Sequence, residues 1–201
     1  MTRGFRGARE AAGRGTLLAV WLLSACASSD ITVASHNESA VPETDLVLGV
    51  ATPEEVLARV PEWVDELVRS EPIEETALRL ATPSPGVEVE VFFGSWCSDS
   101  RRELARLWRA LEIAGGEAGF PIRYVGIDRN KQEPNDLVSG RQILYVPTLI
   151  VSKGGAEVGR IIESSPAGVE ADLLDLVRGD ASGWVSGRDD LEPPDAAGDS
   201  R

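Results

Sequence analysis

The chain has 201 residues and a formal net charge of −13 at pH 7. So acidic a chain is poorly suited to binding nucleic acid or an anionic membrane surface, because both carry negative charge themselves. Without its polar ends, the chain has the length of a single domain of ordinary size.

The first 25 residues have the pattern of a bacterial export signal. Four arginines precede a short apolar run over residues 16–23, which is far below the roughly 20 residues that span a bilayer. The run ends in Leu23-Ser24-Ala25-Cys26, which resembles the bacterial lipobox. This resemblance implies that residues 1–25 are a lipoprotein signal peptide and that Cys26 becomes the acylated first residue. The alternative is an ordinary signal peptide that happens to contain a cysteine.

Lipidation of Cys26 predicts both a location and a redox state. It implies a lipid anchor in the bacterial cell envelope with the domain facing the periplasm, and the absence of an acidic residue directly after Cys26 favours the outer membrane. Residues 26–45 lack periodicity and are predicted to form a flexible tether. Since the chain has only two cysteines, Cys97 is then left alone in an oxidising compartment and has no partner for an intramolecular disulfide.

Residues 46–82 show short helical patterns. Thr52, Pro53 and Glu55 match a capping box with proline in the first turn, which predicts the start of a helix. Pro61 is predicted to end or kink it, a second helix follows in register, and a third covers residues 73–80. We interpret this region as an N-terminal helical extension of a domain that spans residues 46–180.

A cysteine stands between a predicted strand and a predicted helix. Valines alternate through a strand over residues 87–93, and apolar residues at helical spacing predict a helix over residues 101–113. Cys97 therefore lies near the helix start, where free backbone amides and the positive end of the helix dipole favour a thiolate. The neighbouring negative charge of Asp99 opposes this effect.

The rest of the chain alternates between strands and helices before a polar tail. Residues 121–128 are a predicted strand, and we interpret Arg129 and Lys131 on the following loop as solvated surface charge. Gly154-Gly155 is predicted to turn a hairpin. Residues 181–201 are rich in Gly, Pro and Asp and are predicted to be disordered. The other predicted elements are a short helix over 136–142, strands over 143–151 and 158–163, and a final helix over 168–178.

Three features, in this order, resemble the thioredoxin-like superfamily. Trp96-Cys97 opens a helix, Val146-Pro147-Thr148 precedes a strand, and a glycine-turned hairpin precedes the last helix. The resemblance covers residues 87–178 and implies an α/β fold, a thioredoxin-like three-layer sandwich whose mixed central sheet is flanked by helices. It also implies that Val146-Pro147-Thr148 forms a cis-proline loop that holds substrate backbone beside Cys97, with Trp96 shielding the thiol.

Ser100 is the main departure from that family. A dithiol thioredoxin has its second cysteine at this position, and a serine hydroxyl cannot resolve a mixed disulfide near neutral pH. Ser100 and the first-turn amides would stabilise the Cys97 thiolate; alternatively, Asp99 and Ser100 cap the helix. The resemblance therefore predicts monothiol thiol–disulfide exchange, of the reductase or isomerase type, with protein thiols or disulfides as partners.

A second interpretation is a redox-inactive binding or chaperone-like module with the same fold. In that case Cys97 is a small buried hydrophobic residue. Other chemistries fit poorly, because a cysteine hydrolase needs a histidine beside its thiol and the only histidine, His36, lies on the predicted tether. The sequence has no Cys/His cluster for a metal and no glycine-rich phosphate loop, so we predict neither metal nor cofactor.

Overall fold

The computed structural model describes residues 46–191. The predicted signal peptide, Cys26, the tether and the last ten residues of the predicted tail lie outside these residues. In chain order the elements are β1 (Gly49–Ala51), α1 (Pro53–Arg59), α2 (Trp63–Arg69), α3 (Glu74–Arg79), β2 (Val87–Phe93), α4 (Ser98–Ile113), β3 (Ile122–Gly126), α5 (Asn135–Val138), β4 (Thr148–Lys153), β5 (Ala156–Ile162), α6 (Val169–Arg178) and β6 (Gly183–Val185).

Within the described residues, six strands form one mixed sheet in the order β1-β3-β2-β4-β5-β6. Strand β2 pairs in parallel with β3 and antiparallel with β4, and β5 pairs in parallel with β6. Because β2 and β3 run in parallel, the segments that follow them leave the sheet at the same edge. That edge carries Cys97.

The two faces of the sheet are covered differently. Val89, Val91 and Phe93 of β2 pack into the larger core with residues of helices α1, α2, α3, α4 and α6. Phe92 points the other way, as alternation along a strand requires, into a smaller core that includes α5 and residues of the segment between α5 and β4. Helices thus lie on both faces of a mixed sheet, which confirms the predicted α/β sandwich.

The N-terminal helices are an integral part of the larger core. The capping box at α1 is confirmed, because the Thr52 hydroxyl accepts from the Glu55 amide and the Glu55 carboxylate accepts from the Thr52 amide. Trp63 of α2 is almost fully buried and its ring centroid lies 5.8 Å from that of Trp108 on α4. None of the helices between residues 46 and 191 has the length and hydrophobicity that a membrane span requires.

Two predicted boundaries and part of the predicted tail are wrong. Helix α4 begins at Ser98 rather than residue 101, and β4 begins at Thr148 rather than residue 143. Pro147 has no amide to give to a strand pair, so the residues before it pack into the smaller core instead. Residues 183–185, predicted to be disordered, form β6 because they pair in parallel with β5.

Candidate active site

Cys97 is the residue immediately before helix α4. A turn after β2 brings it there, closed by a hydrogen bond of 2.9 Å from the Cys97 amide to the Gly94 carbonyl. The cysteine has the extended backbone of an N-cap residue, and it is partly exposed to solvent. Asp99 and Ser100 lie inside the first turn of α4.

The thiol lies against the segment that contains Pro147. The Cys97 thiol donates a hydrogen bond of 3.3 Å to the Val146 carbonyl, and the Val146–Pro147 peptide bond is cis. The fold therefore brings together two of the sequence motifs that lie 49 residues apart. Cys97 is also partly exposed, unlike a residue at the centre of a core.

The N-cap position gives the sulfur a second set of possible partners. An N-cap side chain usually accepts from the amides two or three residues into the helix, which here are those of Asp99 and Ser100. The Cys97 side chain makes no such cap bond in this structure, because the thiol is turned towards Val146. A thiolate cannot donate to a carbonyl, so ionisation would release the Val146 contact and favour these amides instead.

Ser100 is fully buried and serves the backbone of the loop. Its hydroxyl accepts a hydrogen bond of 3.2 Å from the Gly94 amide, six residues earlier. This bond fixes the turn that delivers Cys97 to the helix start. The hydrogen bond that the structure shows for the Ser100 hydroxyl is therefore the one it accepts from the Gly94 amide.

Trp96 links the Cys97 loop to the segment after β3. Its indole N–H donates to the Ile127 carbonyl at 3.3 Å, and the half-buried ring packs against the smaller core together with Cys97. The ring lies so close to Gly94 that a Cβ there would stand 2.5 Å from an indole carbon. The position of Trp96 therefore requires a glycine at residue 94. The sequence alone did not predict this requirement.

The predicted substrate-binding segment, Val146-Pro147-Thr148, is buried. The Thr148 hydroxyl donates to the Tyr145 carbonyl at 2.8 Å, and the Pro147 carbonyl accepts from the Glu163 amide at 2.8 Å. The part of this segment that meets the thiol is the carbonyl of Val146.

An ion-pair network holds the segment that leads to Pro147. Arg160 on β5 is buried, forms two 2.6 Å hydrogen bonds with Glu157, and donates to the Arg141 carbonyl at 3.1 Å. The Arg141 guanidinium in turn lies 2.8 Å from Glu90 of β2. These contacts join the segment to the sheet a few residues before Val146. The sequence offers no local signal for them, because they join the segment to strands that are distant in the chain.

A charged cavity of about 560 Å³ lies between α2, α4 and the turn before α6. Arg106 on its wall forms two hydrogen bonds, of 2.6 and 2.8 Å, with the fully buried Glu170, which also accepts from the Ile73 amide. Burial alone would raise the pKa of Glu170, but these hydrogen bonds outweigh it and lower that pKa. Burial raises the pKa of Glu103, another residue of this wall.

The comparisons with known proteins reveal only distant structural likeness. No protein-family model matches the chain, and no curated protein matches it. A protein of unknown function from Pseudomonas aeruginosa is similar in structure with 16% identity, a TM-score of 0.43, and coverage of 65% of this chain and 88% of its own. An HIV epitope scaffold is similar with 19% identity, a TM-score of 0.44, and the same two coverages.

A bound metal ion requires a particular arrangement of side chains. Between residues 46 and 191, no group of three or more His, Cys, Asp or Glu side chains is arranged to hold a metal ion. The chemical groups gathered at this edge of the sheet include one thiol, one indole, and the amides of a helix start.

Proposed function

We propose that this chain is a thioredoxin-like protein that carries out monothiol thiol–disulfide exchange through Cys97. The observation that carries the proposal is the position of the Cys97 thiol, partly exposed at the start of α4 and 3.3 Å from the carbonyl that precedes the cis-Pro147 peptide. In this position, a thiolate can accept hydrogen bonds from the first amides of α4. An extended substrate can lie along the backbone beside Pro147.

The proposed reaction is a simple exchange. The Cys97 thiolate attacks one sulfur of a substrate disulfide, a Cys97–substrate disulfide forms, and the second substrate sulfur leaves as a thiolate that takes a proton from solvent. Ser100 cannot attack the new disulfide, so a second thiol from outside the chain must do so and regenerate Cys97. If that thiol belongs to the same substrate, the reaction is an isomerisation; if it belongs to a separate thiol, the net result is reduction.

The first experiment traps the mixed disulfide in cells. Cultures that express the full chain are quenched with acid and alkylated, and conjugates are separated without reductant. We expect conjugates that reductant releases, and we expect Cys97→Ser to abolish them while Ser98→Ala, on the exposed first residue of α4, leaves them unchanged. Equal conjugates in the Cys97→Ser variant would contradict the proposal.

The alternative function, a redox-inactive binding module, gives a different result in the same cells. Non-covalent partners recovered with the chain would then be the same for the Cys97→Ser variant as for the unmodified chain. Under the exchange proposal, partners held through Cys97 are lost in that variant. The two functions are therefore separated by one substitution.

The proposed setting is the bacterial cell envelope, where Cys26 would carry a lipid anchor and the domain would face the periplasm from the outer membrane. We expect Cys26→Ser to move the chain from the membrane fraction to the soluble fraction and to abolish incorporation of labelled fatty acid, because the anchor is lost. Ala27→Ser is the matched control and should change neither result. A membrane-bound, labelled Cys26→Ser chain would contradict lipidation at this residue.

A further inference from the structure

Arg129 lies at the same edge of the sheet as Cys97. Strands β2 and β3 are parallel neighbours, and the Ile127 amide donates to the Phe93 carbonyl at 2.9 Å where the two strands end. The next residues of one strand lead to Trp96 and Cys97, and those of the other lead to Arg129. The guanidinium carbon of Arg129 lies 5.0 Å from the centroid of a Trp96 ring, a cation–π contact.

The loop that carries Arg129 is built to hold it there. The Asp128 carboxylate accepts hydrogen bonds from the amides of Asn130, Gln132 and Glu133 at 2.7 to 3.0 Å. Burial would raise the pKa of Asp128, but the hydrogen bonds from these amides outweigh it and lower that pKa. The carboxylate is therefore charged, and its hydrogen bonds close the turn. The Asp128 turn therefore fixes the backbone beside Arg129, and the Arg129 guanidinium packs against the indole of Trp96.

Some of the basic side chains on the segments that leave the sheet at this edge have no carboxylate partner within the described residues. Between residues 46 and 191, the basic residues outside any ion pair are Arg59, Arg79, Arg101, Arg129, Lys131 and Lys153. Three of these six lie on the segments that leave the sheet at this edge: Arg101 is one helical turn beyond Cys97, with a buried Nε that has no partner, and Arg129 and Lys131 share the loop after β3.

Two of the carboxylates at this edge are engaged in ion pairs, because Asp99 pairs with Arg102 at 2.7 Å and Glu163 pairs with Arg188. Asp128 keeps its negative charge while its three amides hold it in the turn. The positive charge that lies against Trp96, the residue before Cys97, is that of Arg129, in a chain whose net charge is −13. Isolated positive charge beside a nucleophile in an acidic protein attracts anionic reactants and repels cationic ones.

We infer that Cys97 exchanges preferentially with disulfides that carry negative charge beside the attacked sulfur, as acidic peptide segments do, and that Arg129 selects them. This inference rests on the proposed thiol–disulfide exchange and names its substrate class. Arg129 acts on the approaching substrate, while Arg101 and Lys131 contribute to the same field.

The test uses the full chain with Cys26→Ser, so that Cys97 is its only thiol. Rate constants for mixed-disulfide formation are measured by intact mass with dithiodipropionate, bis(2-hydroxyethyl) disulfide and cystamine, which are anionic, neutral and cationic. Each rate in Arg129→Gln is divided by the rate in the parent, which cancels the intrinsic reactivity of each probe. The neutral probe also corrects for any change in the reactivity of Cys97 that follows from a shift of Trp96.

We expect Arg129→Gln to slow the anionic probe about threefold relative to the neutral one, the effect of one unit charge roughly 7 Å away in water. Arg129→Glu should slow it about tenfold, and the cationic probe should become faster in both variants. The preference should weaken as salt is raised. Lys153→Gln, which removes an unpaired charge at the opposite end of the sheet, is the control and should change no ratio.

Two outcomes would overturn the inference in different ways. If all three probes react with Cys97 and their ratios are the same in Arg129→Gln as in the parent, Arg129 does not select substrates, although the exchange itself stands. If none of the probes forms an adduct at Cys97, the proposed exchange fails and the inference fails with it.

Discussion

Replacing Ser100 by cysteine should convert the chain from a monothiol to a dithiol protein. Residues 97 and 100 are separated by one turn at the start of α4, and positions three apart on a helix are neighbours. A Cys-x-x-Cys pair at a helix start is also the arrangement of dithiol active sites. In the Cys26→Ser background, each parent chain treated with an excess of aromatic disulfide should release one equivalent of aromatic thiol. The other half of the disulfide should remain on Cys97 as an adduct. Ser100→Cys should release two equivalents and keep none, because the introduced thiol resolves the adduct into an internal disulfide.

The control for this conversion is Ser98→Cys. Residue 98 is also in the first turn and is exposed, but adjacent helix positions do not face each other. This variant should release two equivalents and retain two adducts by mass. Loss of the Gly94–Ser100 hydrogen bond should cost Ser100→Cys about 1 kcal/mol of stability. A folded Ser100→Cys chain that retains its adducts would mean that residues 97 and 100 do not face each other.

Replacing Arg106 by alanine should destabilise the domain by about 3 kcal/mol. The substitution leaves the fully buried Glu170 carboxylate with the Ile73 amide and without its counter-charge. The corresponding fall in Tm is about 10 °C, measured by calorimetry or circular dichroism. Arg109→Ala on the same helix is the control, because its pair with Glu112 is exposed and contributes at most about 1 kcal/mol. Adding Glu170→Leu to Arg106→Ala should recover part of the loss, because no buried charge is then left unpaired.

The same ion pair predicts how stability depends on pH. The folded protein lowers the pKa of Glu170 below its ordinary value of 4.5, so the stabilisation is present above that pH and is lost as pH falls through the folded pKa. The stability difference between the parent and Arg106→Ala should therefore shrink as the pH falls, because burial without Arg106 raises the pKa of Glu170 in the variant while the parent holds it below 4.5. A difference that grows under acid would show that the pair does not stabilise the ionised carboxylate.

Elements with a strong local pattern could be predicted from the sequence. The capping box at Thr52 gives α1 its start, and the alternating valines of β2 give a strand whose observed bounds match the predicted ones. The resemblance to thioredoxin-like proteins, rather than a local rule, pointed to the cis-Pro147 peptide and to its place near Cys97. These features depend on neighbouring residues or on a recognisable motif.

What could not be predicted depends on contacts between distant parts of the chain. The indole N–H of Trp96 donates to the carbonyl of Ile127, 31 residues later, and β6 forms because it pairs with β5. Nothing in the polar sequence around Trp184 indicates that pairing. Ser100 shows the same limit within one motif, because nothing in the residue types indicates that its hydroxyl accepts from the Gly94 amide. Which acceptor or donor a short side chain chooses is set by the turn geometry, which residue types alone do not specify.

The central claim, that Cys97 is a working nucleophile, is tested most directly by its alkylation rate. The full chain with Cys26→Ser is treated with iodoacetamide at about pH 7, once folded and once unfolded in guanidinium chloride, and the rate constants are compared after correction for the effect of the denaturant on a free-thiol peptide. Our account predicts that Cys97 reacts at least as fast in the folded chain as in the unfolded one, because Cys97 is partly exposed and lies directly before α4. A folded chain whose Cys97 reacts more slowly than the unfolded one would contradict it, and the site would then be a binding surface rather than a centre of exchange.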